Sequence, residues 1–409
     1  MKTVLERFLT YTAIDTQSVY NPKTFPSTEK QKDLSLLLAK ELKELGAINV
    51  CVADDASVYG TIPANYENCK APIIGFSAHI DTTPELTGTN VKAHVVKNYD
   101  GKDIVLNEKE NIVMEVSKFP HLLNYIGQDL VVTDGTTLLG ADDKAGIAEI
   151  MSMAQYFHEN PDVKHGEIQF FFPSDEEVGC LGAKNLNKTK FNPDFAYTLD
   201  GGPIGEITYE CFNAAEAIVK INGVNIHPGL SKNQMKNAIL IAKEFLNMLP
   251  DAETPGHTEK YEGYYHILEF EGEVEHTRLK FYLRDHDKAK FEERKNIIKE
   301  ISNFLNKVYG ENTVEFEVID TYSNTSEVIL PCFEIVEAIQ NAMTSLDVKP
   351  YFSPMRGGTD GSIISFMDIP CPNICTGGHN FHGRYEYVPV QSMEKITDII
   401  INIVKGFVK

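Results

Sequence analysis

The chain has 409 residues, of which 42% are hydrophobic and 24% are charged, and its formal net charge is −21. The length predicts two domains rather than one. The strong negative charge argues against nucleic acid or an anionic membrane surface as a partner, because both attract lysine and arginine.

The cysteines and the first residues predict where the protein is located. The seven cysteines are widely spaced and form no C-x-x-C pair, which favours buried free thiols in a reducing compartment. An acidic residue, Glu6, follows the start closely, and no apolar stretch is present there, so no signal peptide is expected. No apolar run approaches the ~20 residues that a bilayer requires. These features predict a cytoplasmic protein.

Helix and strand patterns alternate through the first half of the chain. Leucines recur on one helical face between residues 28 and 46, and residues 144–160 form a second amphipathic helix pattern. Short apolar runs at residues 72–81, 167–175 and 195–202 predict buried strands. Strands alternating with helices predict an α/β sheet, whose functional residues lie at the strand ends.

A different order of elements is predicted from about residue 209. The predicted elements are strand 209–222, helix 233–249, strands 262–273 and 276–285, helix 288–308 and strand 313–320. This β-α-β-β-α-β order is that of the ferredoxin-like unit. The sequence therefore predicts an inserted domain at residues 209–324. Residues 1–208 and 325–409 together would form the main, discontinuous domain.

His79 and Asp81 are the first pair of candidate site residues. On a strand, residues i and i+2 point to the same side, so these two side chains would share a face. A metal-bound imidazole usually donates its second N–H to a carboxylate, which fits His79 as a ligand with Asp81 behind it. A histidine at a strand end beside a solvated aspartate is the alternative.

Acidic residues follow three further predicted elements. Asp142 and Asp143 lie before a helix, where capping explains one aspartate; a carboxylate that bridges two cations would explain the other. Glu176 and Glu177 end the phenylalanine-rich run at 170–172, and Asp200 ends the next strand. Clustered acids raise each other's pKa unless a cation lies among them. A solvated loop is the alternative for the two glutamates.

The segment "TGGHNFHGRYEYVP" contains two more candidate ligands, His379 and His382. A thiol nucleophile, Cys375, is the alternative in this region, but it follows an apolar residue and is expected to be buried. Upstream, Arg356 lies beside the glycine turn of "MRGGTDG", where backbone could approach a ligand or form only a solvated turn. The sequence contains no H-E-x-x-H, G-x-S-x-G or phosphate-binding glycine motif.

Seven motifs together resemble those of a known family. The motifs AHIDT, LLGADDKAG, SDEEVG, TLDGG, NIHPG, RGGTDG and TGGHNFHG occur in the order seen in the M20 group of di-zinc metallopeptidases. The resemblance extends over nearly the whole chain and is greatest to the bacterial tripeptide aminopeptidases of that group. It implies a zinc-exopeptidase-like catalytic domain with a mostly parallel mixed sheet, plus an inserted ferredoxin-like lid domain.

The resemblance also implies roles for individual residues. The implied ligands of two zinc ions are His79 and Asp200 for one ion, Glu177 and His382 for the other, and Asp142 as the bridge. Glu176 would be the general base and Asp81 would orient His79. The peptide bond between Asp142 and Asp143 would be cis. The residues implied to bind substrate are His227, Arg284, Arg356 and Asn380.

The implied activity is removal of the first residue from tripeptides, with two Zn²⁺ per chain and with Co²⁺ or Mn²⁺ able to substitute. A homodimer through the lid domain is allowed, in which His227 would act in cis or in trans. The alternatives are another M20 hydrolase (a dipeptidase, aminoacylase or carboxypeptidase), a two-metal phosphoesterase, or a non-catalytic metal-binding homologue. The presence of Glu176 argues against the last, because a binding protein needs no base.

Overall fold

The computed structural model describes residues 2–408. Its α-helices, in chain order, are α1 Val4–Thr12, α2 Gln31–Glu44, α3 Ala141–Glu159, α4 Leu181–Lys184, α5 Ala238–Asn247, α6 Lys288–Tyr309, α7 Ser326–Ile329, α8 Glu334–Ser345, α9 Asp360–Ser365 and α10 Val390–Gly406. Within this described part, no helix is both long enough and apolar enough to cross a bilayer.

The strands are β1 Ile48–Val52, β2 Val58–Ile62, β3 Ile74–Ser77, β4 His94–Val96, β5 Ile104–Asn107, β6 Ile112–Met114, β7 Leu130–Val132, β8 Ile168–Phe172, β9 Phe195–Gly201, β10 Glu206–Thr208, β11 Asn213–Asn222, β12 Tyr264–Gly272, β13 His276–Asp285, β14 Val314–Tyr322, β15 Tyr351–Phe352, β16 Asn373–Cys375 and β17 Val388–Pro389.

The chain divides into two compact units. The larger unit comprises Met1–Tyr209, Glu327–Ser353 and Thr359–Lys409, and the smaller comprises Glu210–Ser326 with Pro354–Gly358. The short return segment 354–358 has no hydrophobic periodicity, so the sequence pattern did not separate it from the main domain.

The larger unit is built on an eight-stranded mixed sheet with the order β1-β2-β8-β3-β9-β16-β10-β15. Its four central strands, β8, β3, β9 and β16, are parallel to one another. Helix α3 packs against β9 and also against α1 and α10. Close packing of α3 requires Gly146, because a Cβ atom there would lie 2.3 Å from the carbonyl oxygen of Leu199. The large mixed sheet agrees with the α/β class predicted from the sequence.

The phenylalanine run at the end of β8 is buried on both faces of this sheet. Phe170 and Phe172 pack into the core that includes α1, α3 and α10, whereas Phe171 packs into the opposite core with residues of α4 and α9. Alternate residues of a strand point to opposite faces, so a strand between two helical layers is apolar throughout. This burial explains why the run is continuous rather than alternating.

Two predicted strands are shorter in the structure. Strand β3 ends at Ser77 and β8 ends at Phe172, so the prediction that His79 and Asp81 lie on a strand was wrong. Both residues lie in the loop after β3, where Ile80 donates its N–H to the carbonyl of Pro173 in the loop after β8. The apolar sequence pattern extends beyond the last residues of β3 and β8, because the loops that follow these strands are themselves buried.

The smaller unit contains a four-stranded antiparallel sheet with the order β12-β13-β11-β14. Along the chain its elements follow the order β11-α5-β12-β13-α6-β14. Apolar side chains of α5 and α6 form one core with the inward face of this sheet.

The cysteines are free thiols, but they are not all buried as predicted. Cys211, Cys371 and Cys375 are buried, and the other four are partly exposed.

Candidate metal centre

Five of the predicted ligand and base residues lie at or beyond the carboxyl ends of adjacent parallel strands. His79 follows β3, Glu176 and Glu177 follow β8, Asp200 lies near the end of β9, and His382 follows β16. The carboxyl ends of parallel strands meet at one edge of the sheet, which is the usual position of a site in this class of fold. The topology therefore brings together residues that are up to about three hundred positions apart (79 to 382).

Asp142 reaches the same edge from the start of α3. Its backbone and that of Asp143 are not helical, and the peptide bond between them is cis, as the family resemblance implied. The Oδ1 atom of Asp142 lies 2.9 Å from Nε2 of His79, and its Oδ2 atom lies 3.1 Å from Nε2 of His382. One carboxylate thus faces two imidazoles with different oxygens, which is the arrangement that a bridging ligand needs.

Two donor groups share Asp142. The first comprises His79, Asp142 and Asp200, the second comprises Asp142, Glu177 and His382, and the ligand atoms of each group lie within 4.8 Å of one another. Nitrogen and carboxylate donors of this kind suit zinc and similar divalent ions. In addition, Oε1 of Glu177 is buried and has no hydrogen-bond partner among residues 2–408, which leaves it available to a cation. The residues therefore fit a pair of metal ions.

The side chains of the two donor groups have shifted pKa values, because many acidic groups are buried together with little positive charge. Burial, followed by repulsion from Asp142, raises the pKa of Glu177 to about 8, and the same two causes raise the pKa of Asp200 well above its usual range. Hydrogen bonds to Asp142 and Glu177 raise the pKa of His382 to about 11. Carboxylates and imidazoles bind metals in their deprotonated forms, so divalent cations would release these protons.

Asp143 does not have the role in helix capping that the sequence suggested. The N-cap of α3 is Gly140, and no side chain caps it. The Oδ2 atom of Asp143 instead accepts a hydrogen bond from the backbone N–H of His79 at 3.1 Å. Asp143 is therefore a buried support of the loop that carries His79.

Asp81 contacts His79 mainly through its backbone. Its carbonyl oxygen lies 3.0 Å from Nδ1 of His79, and its Oδ1 atom lies 3.4 Å from the same nitrogen. The carboxylate of Asp81 also accepts hydrogen bonds from the backbone N–H groups of Glu176 (2.9 Å) and Glu177 (3.3 Å). Asp81 therefore supports both the imidazole and the acidic loop after β8.

Glu176 belongs to neither donor group identified among the described residues. Its Oε1 atom accepts a hydrogen bond from the thiol of Cys180 at 3.4 Å. Burial is the largest of the effects that raise its pKa to about 7. The preceding Asp175 is hydrogen-bonded to Ser27 and Gln31, which holds this loop against the start of α2. Glu176 is thus a carboxylate beside the donor groups that is left available for proton transfer.

Of the two histidines in the C-terminal motif, only His382 lies in a donor group of the described residues. The Nε2 atom of His379 lies 2.7 Å from the hydroxyl oxygen of Tyr125, and its ring stacks on His121 and Tyr387. Burial lowers the pKa of His379 to about 3. The prediction that His379 is a candidate ligand is therefore not supported by its surroundings.

The thiol of Cys375 has no features of a nucleophile. It is fully buried, and burial raises its pKa well above the usual range. A reactive cysteine needs a lowered pKa. The expectation of a buried thiol is confirmed.

The predicted substrate-binding residues lie in different units. Asn380 belongs to the larger unit, where its Nδ2 atom donates to the carbonyl of Tyr385 at 2.9 Å. His227, Arg284 and Arg356 belong to the smaller unit.

These three residues already have contacts within the smaller unit. Nη1 of Arg356 donates to the carbonyls of Lys260 and Glu262, and its Nη2 donates to the hydroxyl of Thr258. Nη1 of Arg284 donates to the carbonyls of residues 215 and 283, and its guanidinium lies over two tyrosine rings. His227 is exposed, and its Nδ1 atom accepts a hydrogen bond from the backbone N–H of residue 229.

Two acidic residues near the centre were missed by the sequence analysis. Glu85 has its Oε2 atom 3.5 Å from Nδ1 of His382. Glu386 is buried and accepts hydrogen bonds from the backbone around Asp142. The only signal for Glu386 was its place between two tyrosines, where an acid is unexpected unless it has buried partners.

A mixed α/β sheet with two adjoining donor groups at its carboxyl edge defines a class of metal-dependent hydrolase folds. Residues 133–406 match peptidase family M20/M25/M40, and residues 57–201 match peptidase family M28. The chain is 52% identical over 405 residues to the protein of Halothermothrix orenii named Peptidase T, which covers 99% of each chain.

Solved structures agree at the level of the fold. The aminopeptidase PepT of Bacillus cereus ATCC 10987 has a TM-score of 0.77 at 24% identity and covers 99% of this chain and 98% of its own. The Bacillus subtilis YXEP protein, described as a dinuclear metal binding peptidase of family M20, has a TM-score of 0.64 at 11% identity with 99% and 98% coverage. The chain belongs to peptidase family M20/M25/M40, and the resemblance drawn from the seven motifs is confirmed.

Proposed function

We propose that the protein is a metal-dependent aminopeptidase that releases the first residue of tripeptides. The observation that carries this proposal is the pair of donor groups joined by Asp142, with Glu176 beside them and in neither group. The name Peptidase T on a relative that is 52% identical over nearly the full length supports the tripeptide substrate.

The two donor groups are proposed to hold two Zn²⁺ ions, with Co²⁺ or Mn²⁺ able to substitute. His79 and Asp200 would bind one ion, Glu177 and His382 would bind the other, and Asp142 would bridge them. When bound, such ions lower the pKa of a water molecule and polarise the peptide carbonyl. The division of the Asp142 oxygens between two imidazoles, at 2.9 and 3.1 Å, supports this assignment.

Glu176 is proposed to move the proton. It would accept a proton from the attacking water and deliver it to the amine that leaves. Its backbone N–H is anchored on Asp81, so the loop keeps its position while the side chain exchanges a proton. Asp81 in turn orients His79 through its carbonyl and carboxylate.

Recognition of both substrate ends would explain the preference for tripeptides. An extended chain rises ~3.3–3.6 Å per residue, so fixed partners for the two terminal charges select a length. His227, Arg284, Arg356 and Asn380 remain the proposed substrate-binding set. Both terminal nitrogens of Arg356 donate hydrogen bonds to the segment 258–262. The guanidinium could therefore bind a substrate carboxylate only if some of these hydrogen bonds were broken.

The finer description of the fold is part of the same proposal. The larger unit would be the zinc-exopeptidase-like catalytic domain, and the smaller unit, with its β-α-β-β-α-β order, a ferredoxin-like lid. The inserted domain at residues 209–324, a homodimer through it and a cytoplasmic location all remain predictions.

The test compares the rates at which the zinc-loaded protein cleaves a set of matched peptides. A free tripeptide should be cleaved after its first residue, while the N-acetylated and the C-amidated forms, a dipeptide and a decapeptide should react far more slowly. A chelator should abolish the activity. Equal turnover of the acetylated or ten-residue peptide would contradict the aminotripeptidase proposal, and full activity in chelator would contradict the metal centre.

A further inference from the structure

A buried carboxylate, that of Glu386, lies between the two segments that supply Asp142 and His382. Its Oε2 atom accepts the backbone N–H groups of Leu139 and Gly140, each at 2.8 Å, and its Oε1 atom accepts the N–H of Asp142 at 3.1 Å. The residue is 2% exposed. Three N–H donors on one buried carboxylate are the kind of contacts that offset the cost of removing it from water.

The backbone before Asp142 is shaped to present these donors together. Gly140 has a φ of +79°, in the left-handed region that a residue with a Cβ adopts only with strain. This conformation directs the N–H groups of residues 139 and 140 to the same oxygen, as in a backbone anion-binding nest. The loop that carries the proposed bridging ligand is therefore organised around Glu386.

The other end of this contact is the loop that carries His382. Backbone hydrogen bonds between His379 and Tyr387, at 2.9 and 3.2 Å, close a hairpin around residues 379–387. Within it, the side chain of Asn380 donates to the carbonyl of Tyr385. His382 lies near the tip of this hairpin and Glu386 lies in its stem. The side chain of Glu386 thus joins the stem of the hairpin to the backbone of the Asp142 loop.

We infer that Glu386 is a positioning residue that sets the separation of Asp142 and His382 in the second donor group. The inference rests on the proposed metal centre. Loss of the three hydrogen bonds would loosen the attachment of the 139–142 loop to the hairpin. The distance of 3.1 Å between Asp142 Oδ2 and His382 Nε2 would then no longer be maintained.

The test replaces Glu386 by Gln and uses Glu149→Gln as a matched control. Glutamine keeps the size of the side chain but replaces one acceptor oxygen by an NH₂ group, which would face a backbone N–H. Glu149 is equally buried, but its two carboxylate oxygens have no hydrogen-bond partner among residues 2–408. Both variants replace a buried carboxyl group by an amide of similar size, and only Glu386→Gln should disturb the second donor group.

Zinc stoichiometry and affinity, measured by competition with a chromogenic chelator, are the primary readouts. Loss of a residue that orients metal ligands typically costs about 10–100-fold in metal affinity. We expect this loss for the weaker zinc of Glu386→Gln and wild-type affinity for Glu149→Gln. With Co²⁺ in place of zinc, the visible spectrum of Glu386→Gln should also change. At saturating zinc, kcat should fall while KM changes little.

The outcomes separate this inference from the proposed function. Wild-type protein that binds two zinc ions, with Glu386→Gln binding them equally well, would overturn only the inference, whatever happens to the melting temperature. Wild-type protein that binds no zinc would overturn both. If Glu386→Gln does not fold, Glu386→Asp keeps the charge at a shorter reach; failure of both to fold would overturn the inference by making Glu386 a purely structural residue.

Discussion

Glu176 and Glu177 are adjacent, and exchanging each for glutamine in turn should separate a base from a ligand. The backbone N–H groups of both residues are held by the carboxylate of Asp81, so neither substitution should move the loop. The Oε2 atom of Glu177 lies 3.0 Å from Nε2 of His382 and belongs to the second donor group. Glu176 contacts the thiol of Cys180 and belongs to neither group.

The expected effects differ in kind. General acid–base catalysis contributes ~10²–10⁴-fold to a rate, so Glu176→Gln should lower kcat by that factor while both metals stay bound. This corresponds to ~2.7–5.5 kcal/mol of transition-state stabilisation. Glu177→Gln removes one of the three side chains of the second donor group, so it should lower the metal content from two ions to one.

The assay combines metal analysis after dialysis with steady-state kinetics on a free tripeptide. Each variant serves as the control for the other, since both make the same chemical change one residue apart. If Glu176→Gln lost a metal and Glu177→Gln kept both, the roles would be reversed. A kcat of Glu176→Gln within about threefold of wild type would remove Glu176 as the base, because a base contributes at least ~10²-fold.

Three other predictions concern the metal and the stability of the larger unit. Removing the ions by chelation should abolish activity, and zinc, cobalt or manganese should restore it with two ions per chain, measured by elemental analysis. Phe171→Ala should lower the free energy of unfolding by ~3–5 kcal/mol in urea titrations, because the side chain is fully buried between Tyr59 and Phe191; an effect below ~1 kcal/mol would contradict the packing. Burial raises the pKa of Glu149 well above its ordinary value of 4.5. The unfolded chain therefore releases this proton at a lower pH than the folded protein does, and stability is lost as the pH rises above about 4.5. Glu149→Gln should therefore raise the unfolding free energy at pH 7 and not at pH 4, and equal effects at both pH values would refute this reasoning.

The members of the two donor groups could be predicted from the sequence because each motif keeps its residues close to the end of a strand. His79, Glu177 and Asp200 follow apolar runs that the sequence identifies without any tertiary information. The family resemblance then supplied the roles that composition and spacing left open. The residues alone left both His379 and His382 as candidate ligands, because a histidine stacked in an aromatic cluster and one facing carboxylates have the same local sequence pattern.

Long-range supports of the site could not be predicted in the same way. Asp143 and Glu386 make their hydrogen bonds to backbone groups that are 64 and about 245 positions away in sequence. A backbone N–H is present at nearly every residue, so no sequence pattern indicates which ones a buried carboxylate will meet. The same holds for Arg356, whose partners include two carbonyls almost a hundred positions upstream.

The sequence by itself determined the α/β class, the buried strands and the residue types at their carboxyl ends, because apolar periodicity and acidic or histidine side chains are local properties of the chain. Only the tertiary structure decided that β8, β3, β9 and β16 are parallel neighbours, and that one oxygen of Asp142 faces His79 while the other faces His382. The physical reason is that strand order and side-chain distances depend on packing between segments far apart in the chain. A difference of a few ångströms in that packing decides whether a side chain is close enough to bind a metal.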